Sequence, residues 1–249
     1  MKNTEIIYGV NPVLEVMRAA RRRCHEVLLA VGRKESLSIR IEDEAQRHGV
    51  FVRRVSKEEI GHLVRTDKHQ GVAARVDPFA YASLEDVVER SLADPRKAFL
   101  IMLDGITDPQ NLGSLVRTAY LLGVHGMILP RDNAAAVTSA VVKSSAGATE
   151  YLPVTQVTNL TKTLGYLKEK GMWATAAEAG GDKSIYDVDF KGFNVVLVLG
   201  SEGGGIRRLV KQNCDDIVYI PMEVESVLSY NVSVAGALCL GEIARQRRY

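Results

Sequence analysis

From Ala98 onward the chain alternates short, wholly apolar runs with longer amphipathic ones, and no other feature constrains its fold as strongly. AFLIML, GMILP, MWATAA, NVVLVLG and IVYIPM hold almost no polar residue. A strand with one wet face alternates polar and apolar, whereas a strand that is apolar throughout is buried on both faces, as in a parallel sheet with helical crossovers. Between these runs NLGSLVRTAYLLG, TSAVVKSSAGA, NLTKTLGYLKEKG, IRRLVKQNC and NVSVAGALCLGEIARQ carry helical periodicity. The pattern predicts an α/β domain with a parallel sheet over residues 96–249.

The first third reads differently. VLEVMRAARR, SLSIRIEDEAQRHG and KEEIGHLVRT predict helices, and HEVLLAV, VFVRRV and HQGVAARV predict strands, so residues 1–80 form a small α/β domain of their own. Pro78 and Pro95 bracket one short helical stretch, which places a linker at 81–95. The whole-chain net charge of +2 hides an asymmetry: residues 1–80 hold 15 Lys/Arg against 11 Asp/Glu, leaving 17 against 19 for the remainder. The excess is clustered at Arg21, Arg22 and Arg23, at Arg33 and Lys34, at Arg53, Arg54 and Lys57, and at Arg65, Lys68 and His69. Such clusters can follow a phosphate backbone. A composition 46% hydrophobic and 25% charged excludes disorder, and no apolar run approaches the roughly 20 residues that span a bilayer. MKNTEIIYGV lacks the apolar core of a secretion signal, so a cytoplasmic location is expected. Cys24, Cys214 and Cys239 are scattered, which suggests neither a zinc site nor a disulfide framework but burial as small apolar side chains.

In open parallel sheets ligands bind beyond the carboxyl ends of the strands. Three loops stand there. The first, Asp104 to Arg117, places Asn111 at a helix start and Arg117 six residues later, beside an apolar stripe of Leu112, Leu115, Val116, Ala119 and Leu122. The second, Gly200-Ser201-Glu202-Gly203-Gly204-Gly205-Ile206, permits close backbone approach to a ligand and leads into a helix whose N-terminus favours anionic groups. It lacks the GK[ST] of a phosphate-binding loop, Arg208 stands where a dinucleotide fingerprint needs its third glycine, and Glu202 repels a pyrophosphate. These facts argue against a nucleotide-dependent oxidoreductase, and leave open a nucleotide or nucleoside site or a plain glycine turn. The third loop, Ile220 to Ala235, places Ser229 and Asn231 just ahead of the last helix, where capping is the simplest account of each alone.

In order and spacing, DPQNLGSLVRTA, LVLGSEGGGIRRLV and IPM…SYNVSVAG resemble the three motifs of the SpoU/TrmH family of RNA ribose 2′-O-methyltransferases. YGVNPVLEV and HQGVAA are similar to the small RNA-binding domain of one branch, which methylates a guanosine of 23S ribosomal RNA, and AVTSAVVKSSAGATEYLPV matches that branch too. The resemblance implies a small RNA substrate-binding domain over 1–80, and over 96–249 a methyltransferase domain whose C-terminal segment forms a deep trefoil knot. It also implies S-adenosylmethionine as cofactor, action as a homodimer, RNA as partner, and no metal. Carried onto this chain, Gly200, Ile220, Met222 and Tyr230 would surround the cofactor, while Asn111, Arg117, Glu202, Ser229 and Asn231 would form the catalytic set. Arg117 would clamp a phosphate and stabilise charge, since a guanidinium with a pKa above about 12 is a poor proton acceptor. The third motif departs from the family: Val224 stands where a glycine is usual, the following stretch is one residue longer, and Tyr230 replaces a leucine. A different ribose in transfer or ribosomal RNA, or a non-catalytic RNA-binding protein, are the alternatives.

Overall fold

The computed structural model describes residues 4–32, 35–224 and 229–248, which fall into two compact units. Arg33 and Lys34 of the basic clusters, and the 225–228 part of the third loop, lie outside the described residues.

The first unit contains β1 (Glu5–Tyr8), α1 (Val10–Ala19), β2 (Cys24–Ala30), α2 (Glu35–Arg47), β3 (Phe51–Val55), α3 (Lys57–Val64) and β4 (Val72–Val76). Its sheet runs β1-β4-β2-β3, with β4 antiparallel to both neighbours and β2 parallel to β3. β1 was not among the expected strands, because EIIY is too short to show a period and acquires its pairing only from β4, some 65 residues away. Leu28, Ala30, Val55, Ile60 and Ala73 make one buried layer, and α1 closes the other face with Val13, Leu14, Val16 and Met17. Ser56 starts α3 by accepting a hydrogen bond from the Glu59 amide.

The second unit contains α4 (Leu84–Ala93), β5 (Phe99–Asp104), α5 (Pro109–Leu121), β6 (Gly126–Pro130), β7 (Val154–Val157), α7 (Leu160–Glu169), β8 (Met172–Ala177), β9 (Lys183–Ser184), β10 (Asn194–Gly200), α8 (Arg208–Lys211), β11 (Asp216–Tyr219) and α9 (Val232–Arg248). Its seven strands run β7-β6-β5-β10-β8-β11-β9, and every ladder is parallel. The apolar runs are buried as the pattern requires: all six residues of β5 and five of seven in β10 are inaccessible or nearly so. Two boundaries differ from expectation. The segment 81–95 is no linker, since it carries α4, which packs on β6 and β7 through the buried Val87 and Val88. The IRRLVKQNC helix shrinks to the four residues of α8 because Arg207 is drawn off by another partner, described below.

Between β6 and β7 the chain passes through α6 (Ser139–Ser144), and Val137–Tyr151 belongs to the first unit, so the expected continuous domain over 96–249 is interrupted. The reason is a set of side-chain ties. The Arg22 guanidinium donates to both oxygens of Glu150, at 3.1 and 2.7 Å, and to Glu5 at 3.0 Å. Tyr151 Oη donates to Glu15 at 2.7 Å, and Lys143 Nζ donates to Gln70 at 2.5 Å.

Candidate active site

The strand order places the site. From β5 the chain steps to β6 and β7 on one side, then returns to build β10, β8 and β11 on the other. Loops leaving β5 and β10, which are neighbours in the sheet, therefore diverge and open a crevice at their carboxyl ends. The first and second loops of the sequence reading are these two.

Asp108, not Asn111, caps α5: its carboxylate accepts from the Asn111 amide at 3.0 Å, with Pro109 at the first helical position. The Asn111 side chain is thereby released, and its Nδ2 donates to Glu202 Oε1 at 3.1 Å. Asn231 closes the set. Its Nδ2 donates to Asn111 Oδ1 at 3.1 Å and also to Glu202 Oε1. Its Oδ1 meanwhile accepts from the Ser233 amide at 2.9 Å and from Ser233 Oγ at 2.6 Å, so it both caps α9 and joins the network. Residues 111, 202 and 231 thus converge from three loops on one carboxylate oxygen, which also receives the Val232 amide at 3.4 Å. Glu202 Oε2 has no partner among the described residues.

The glycine loop is held closed. Ser201 and Gly205 exchange amide hydrogen bonds at 3.1 and 2.9 Å, with Gly205 at φ +60°. A Cβ on Gly200 would lie 2.1 Å from the Gly205 carbonyl carbon, so backbone occupies the space a side chain would need. Asp104, at the end of β5 and almost fully buried, receives the Arg207 amide at 2.9 Å and its Nε at 2.7 Å. This pair fastens the exit of the glycine loop to the neighbouring strand and explains why α8 begins only at Arg208. Sequence reasoning missed Asp104, whose signal was an acidic residue ending a wholly apolar strand.

A cleft of roughly 480 Å³ opens beside the network, lined by Gly200, Glu202, Ile220, Met222, Ser229 and Tyr230 among others. All four expected cofactor residues, Gly200, Ile220, Met222 and Tyr230, are in this lining, as are Glu202 and Ser229 of the expected catalytic set. Arg117 is not. It lies exposed on α5, and six helical residues place it about 120° around the helix from Asn111, so the expected reach back toward the loop is not made within this chain. The lining also includes a fourth loop that the sequence reading did not consider, Ala177-Glu178-Ala179 beyond β8, where Glu178 is held by Lys211 at 2.7 Å. Leu199, Val218, Val232 and Ala235 make an apolar bed. An apolar floor, exposed loop backbone and two carboxylates fit a cationic adenosyl sulfonium such as S-adenosylmethionine, and fit a pyrophosphate poorly. α8 is too short to act as the anion-binding helix expected there.

Comparison with known proteins gives the family. Residues 98–241 match the SpoU rRNA Methylase family, and residues 6–82 match the RNA 2′-O ribose methyltransferase substrate-binding family. The chain belongs to the SpoU methylase family. It is 38% identical over 248 residues, the full length of both chains, to the 23S rRNA (guanosine-2′-O-)-methyltransferase RlmB of Shewanella oneidensis. It is 40% identical to RlmB of Xanthomonas campestris, covering 99% of this chain and 98% of that one. Among solved structures, the SpoU methyltransferase AviRb of Streptomyces viridochromogenes in complex with AdoMet shares the fold, with a TM-score of 0.80 at 22% identity over 98% of this chain and 91% of that one. The rRNA methyltransferase of Sinorhizobium meliloti does so too, with a TM-score of 0.78 at 20% identity over 97% and 87%. The family's α/β architecture, a small N-terminal part and a parallel sheet, is the one described above.

The basic clusters fare unevenly. Arg22 and His69 are buried, the former between Glu150 and Glu5. Arg53 pairs with Glu59 and Glu26, and Arg54 with Glu42. Arg21, Arg23, Lys57, Arg65 and Lys68 remain exposed. Among the described residues no helix is long and apolar enough to cross a membrane. Burial pushes the thiols of Cys24, Cys214 and Cys239 up to about 12, so none is a thiolate at neutral pH.

Proposed function

We propose that this protein methylates the ribose 2′-hydroxyl of a guanosine in 23S rRNA, using S-adenosylmethionine, in the bacterial cytoplasm. Full-length identity of 38–40% to RlmB enzymes supports the target, and the convergence of Asn111, Glu202 and Asn231 beside the cleft supports the chemistry. The cofactor supplies an electrophilic methyl group. Gly200, Ile220, Met222 and Tyr230 hold it, and Glu178 and Glu202 favour its positive charge. Asn111 and Asn231 fix one oxygen of Glu202 and leave Oε2 as the acceptor for the hydroxyl proton; Ser229 lies on the same rim. Val224 is exposed and Tyr230 lies in the lining, which is compatible with the altered third motif still serving the cofactor.

A homodimer belongs to the same proposal. Tyr120 and Leu121 of α5 and Val234 and Leu238 of α9 are exposed on two helices that pack together, an apolar surface suited to a second copy. Arg117 lies on that helix pair, so a partner's Arg117 would complete a cleft that each chain leaves without its cation. The trefoil knot of the C-terminal segment is part of this reading. To test the function, purified protein is incubated with S-adenosylmethionine and unmodified 23S rRNA transcript, and ribose methylation is mapped. One 2′-O-methylguanosine is expected. Methylation confined to transfer RNA would overturn the target, and failure to bind S-adenosylmethionine by calorimetry would overturn the activity.

A further inference from the structure

A second, polar cavity of roughly 420 Å³ lies at the far end of the methyltransferase sheet, and the proposed reaction makes no use of it. Its walls are the start of α4 (Ser83, Glu85), the carboxyl end of β6 (Arg131), the carboxyl end of β7 (Gln156, Thr158) and the start of α7 (Asn159, Lys162). Arg131 and Lys162 are exposed and form no ion pair among the described residues, whereas most arginines of the first unit are paired. Two ten-residue helices open onto the cavity with their N-termini. Ser83 and Asn159 each satisfy one amide of the first turn, and both helix dipoles add positive potential. Glu85 is the one carboxylate in the lining, so two cations outweigh it.

The place matters as much as the charge. All strands of the sheet are parallel, so this cavity and the cofactor cleft open at the same edge. β6 is two strands from β10 and β7 is three, and at a spacing of about 4.8 Å per strand the cavity lies about 10–15 Å from the carboxylate network along that edge. An RNA strand presenting a ribose at the network can cross that distance in a few nucleotides.

We propose that Arg131 and Lys162 bind a phosphodiester of the substrate RNA a few nucleotides from the methylated ribose, so that the methyltransferase unit grips its substrate apart from the N-terminal unit. This rests on the RNA methyltransferase reading above. The test compares wild type with Arg131→Ala/Lys162→Ala and with Glu85→Gln, using a mixed-sequence 12-nucleotide single-stranded RNA for binding and 23S rRNA transcript for turnover. For the double variant RNA binding and KM for RNA are expected to worsen about 5- to 30-fold. The slope of log affinity against log salt should fall by about 0.7, as for one lost single-strand phosphate contact, with kcat and S-adenosylmethionine affinity unchanged. Glu85→Gln should tighten RNA binding. Unchanged affinity and salt slope in the double variant, with an active wild type, would overturn this proposal alone. A wild type that neither binds nor methylates RNA would overturn the functional reading with it.

Discussion

Two asparagine side chains, Asn111 and Asn231, and the Val232 amide share one oxygen of Glu202 in this protein. Asn231 spends both amide hydrogens on Asn111 and Glu202 while its oxygen caps α9, so Asn231→Ala removes a helix cap and a network member together. Stability should fall by about 1 kcal/mol, read by thermal melting, beside a loss of methyl transfer. Arg117→Ala touches neither the network nor the cleft lining, and is expected to abolish methyl transfer, by about 100-fold or more, while S-adenosylmethionine affinity measured by calorimetry stays the same. An equal loss of cofactor affinity would refute its role as a phosphate clamp. His69, in the first unit, makes a pH-dependent contribution. It is buried, its Nδ1 accepts from the Gly71 amide at 3.0 Å, and burial lowers its pKa below the ordinary histidine value. A depressed folded pKa means that the unfolded chain takes up the proton first, so this contribution is complete above about pH 6.5 and is lost as pH falls below it. Thermal melts between pH 8 and 5 should show the loss, and His69→Asn, which keeps an acceptor but cannot titrate, should flatten it.

At the scale of elements, the site depends on how closely backbone segments approach. A Cβ on Gly236 of α9 would lie 2.3 Å from Leu115 on α5, so these helices touch where a larger residue would force them apart. Gly200→Ala puts its methyl group into the Gly205 carbonyl, at a cost of about 1–3 kcal/mol of strain that the loop can relieve only by opening. Its expected result is a chain that stays folded by circular dichroism but binds S-adenosylmethionine at least about tenfold more weakly. The Asp104–Arg207 pair sets the other end of that loop, trading the first turn of a helix for a buried carboxylate anchor.

For the whole molecule, two arrangements matter beyond the site itself. Arg22 looked like one of three arginines facing RNA, yet it lies between Glu150 and Glu5 and ties the segment around α6 to the first unit. Arg22→Ala leaves the Glu150 carboxylate buried and unpaired, and should cost about 3 kcal/mol in denaturant unfolding, with release of Val137–Tyr151 seen by hydrogen exchange. The exposed residues of α5 and α9 bear on assembly. Leu121→Asp with Val234→Asp should yield a monomer by light scattering that binds S-adenosylmethionine but transfers no methyl group; an active monomer would exclude a partner-supplied Arg117.

Much of this was legible in the one-dimensional pattern, because it depends on local chemistry. Apolar runs specify strands buried on both faces, and Gly200 to Gly205, with Asn111, Glu202 and Asn231, keep an order and spacing that needs no coordinates to see. Other features need the fold, because they depend on pairs distant in sequence. β1 exists through its pairing with β4, Asp104 matters because Arg207 reaches it across 103 positions, and Arg22 is withdrawn from solvent by Glu150, 128 positions away. Glu178 and the Arg131–Lys162 cavity likewise arise only where loops from different strands meet at one edge of the sheet. A side chain's type and spacing limit the chemistry it can perform, but its partners settle whether it is free to perform it, and those partners are chosen by tertiary packing.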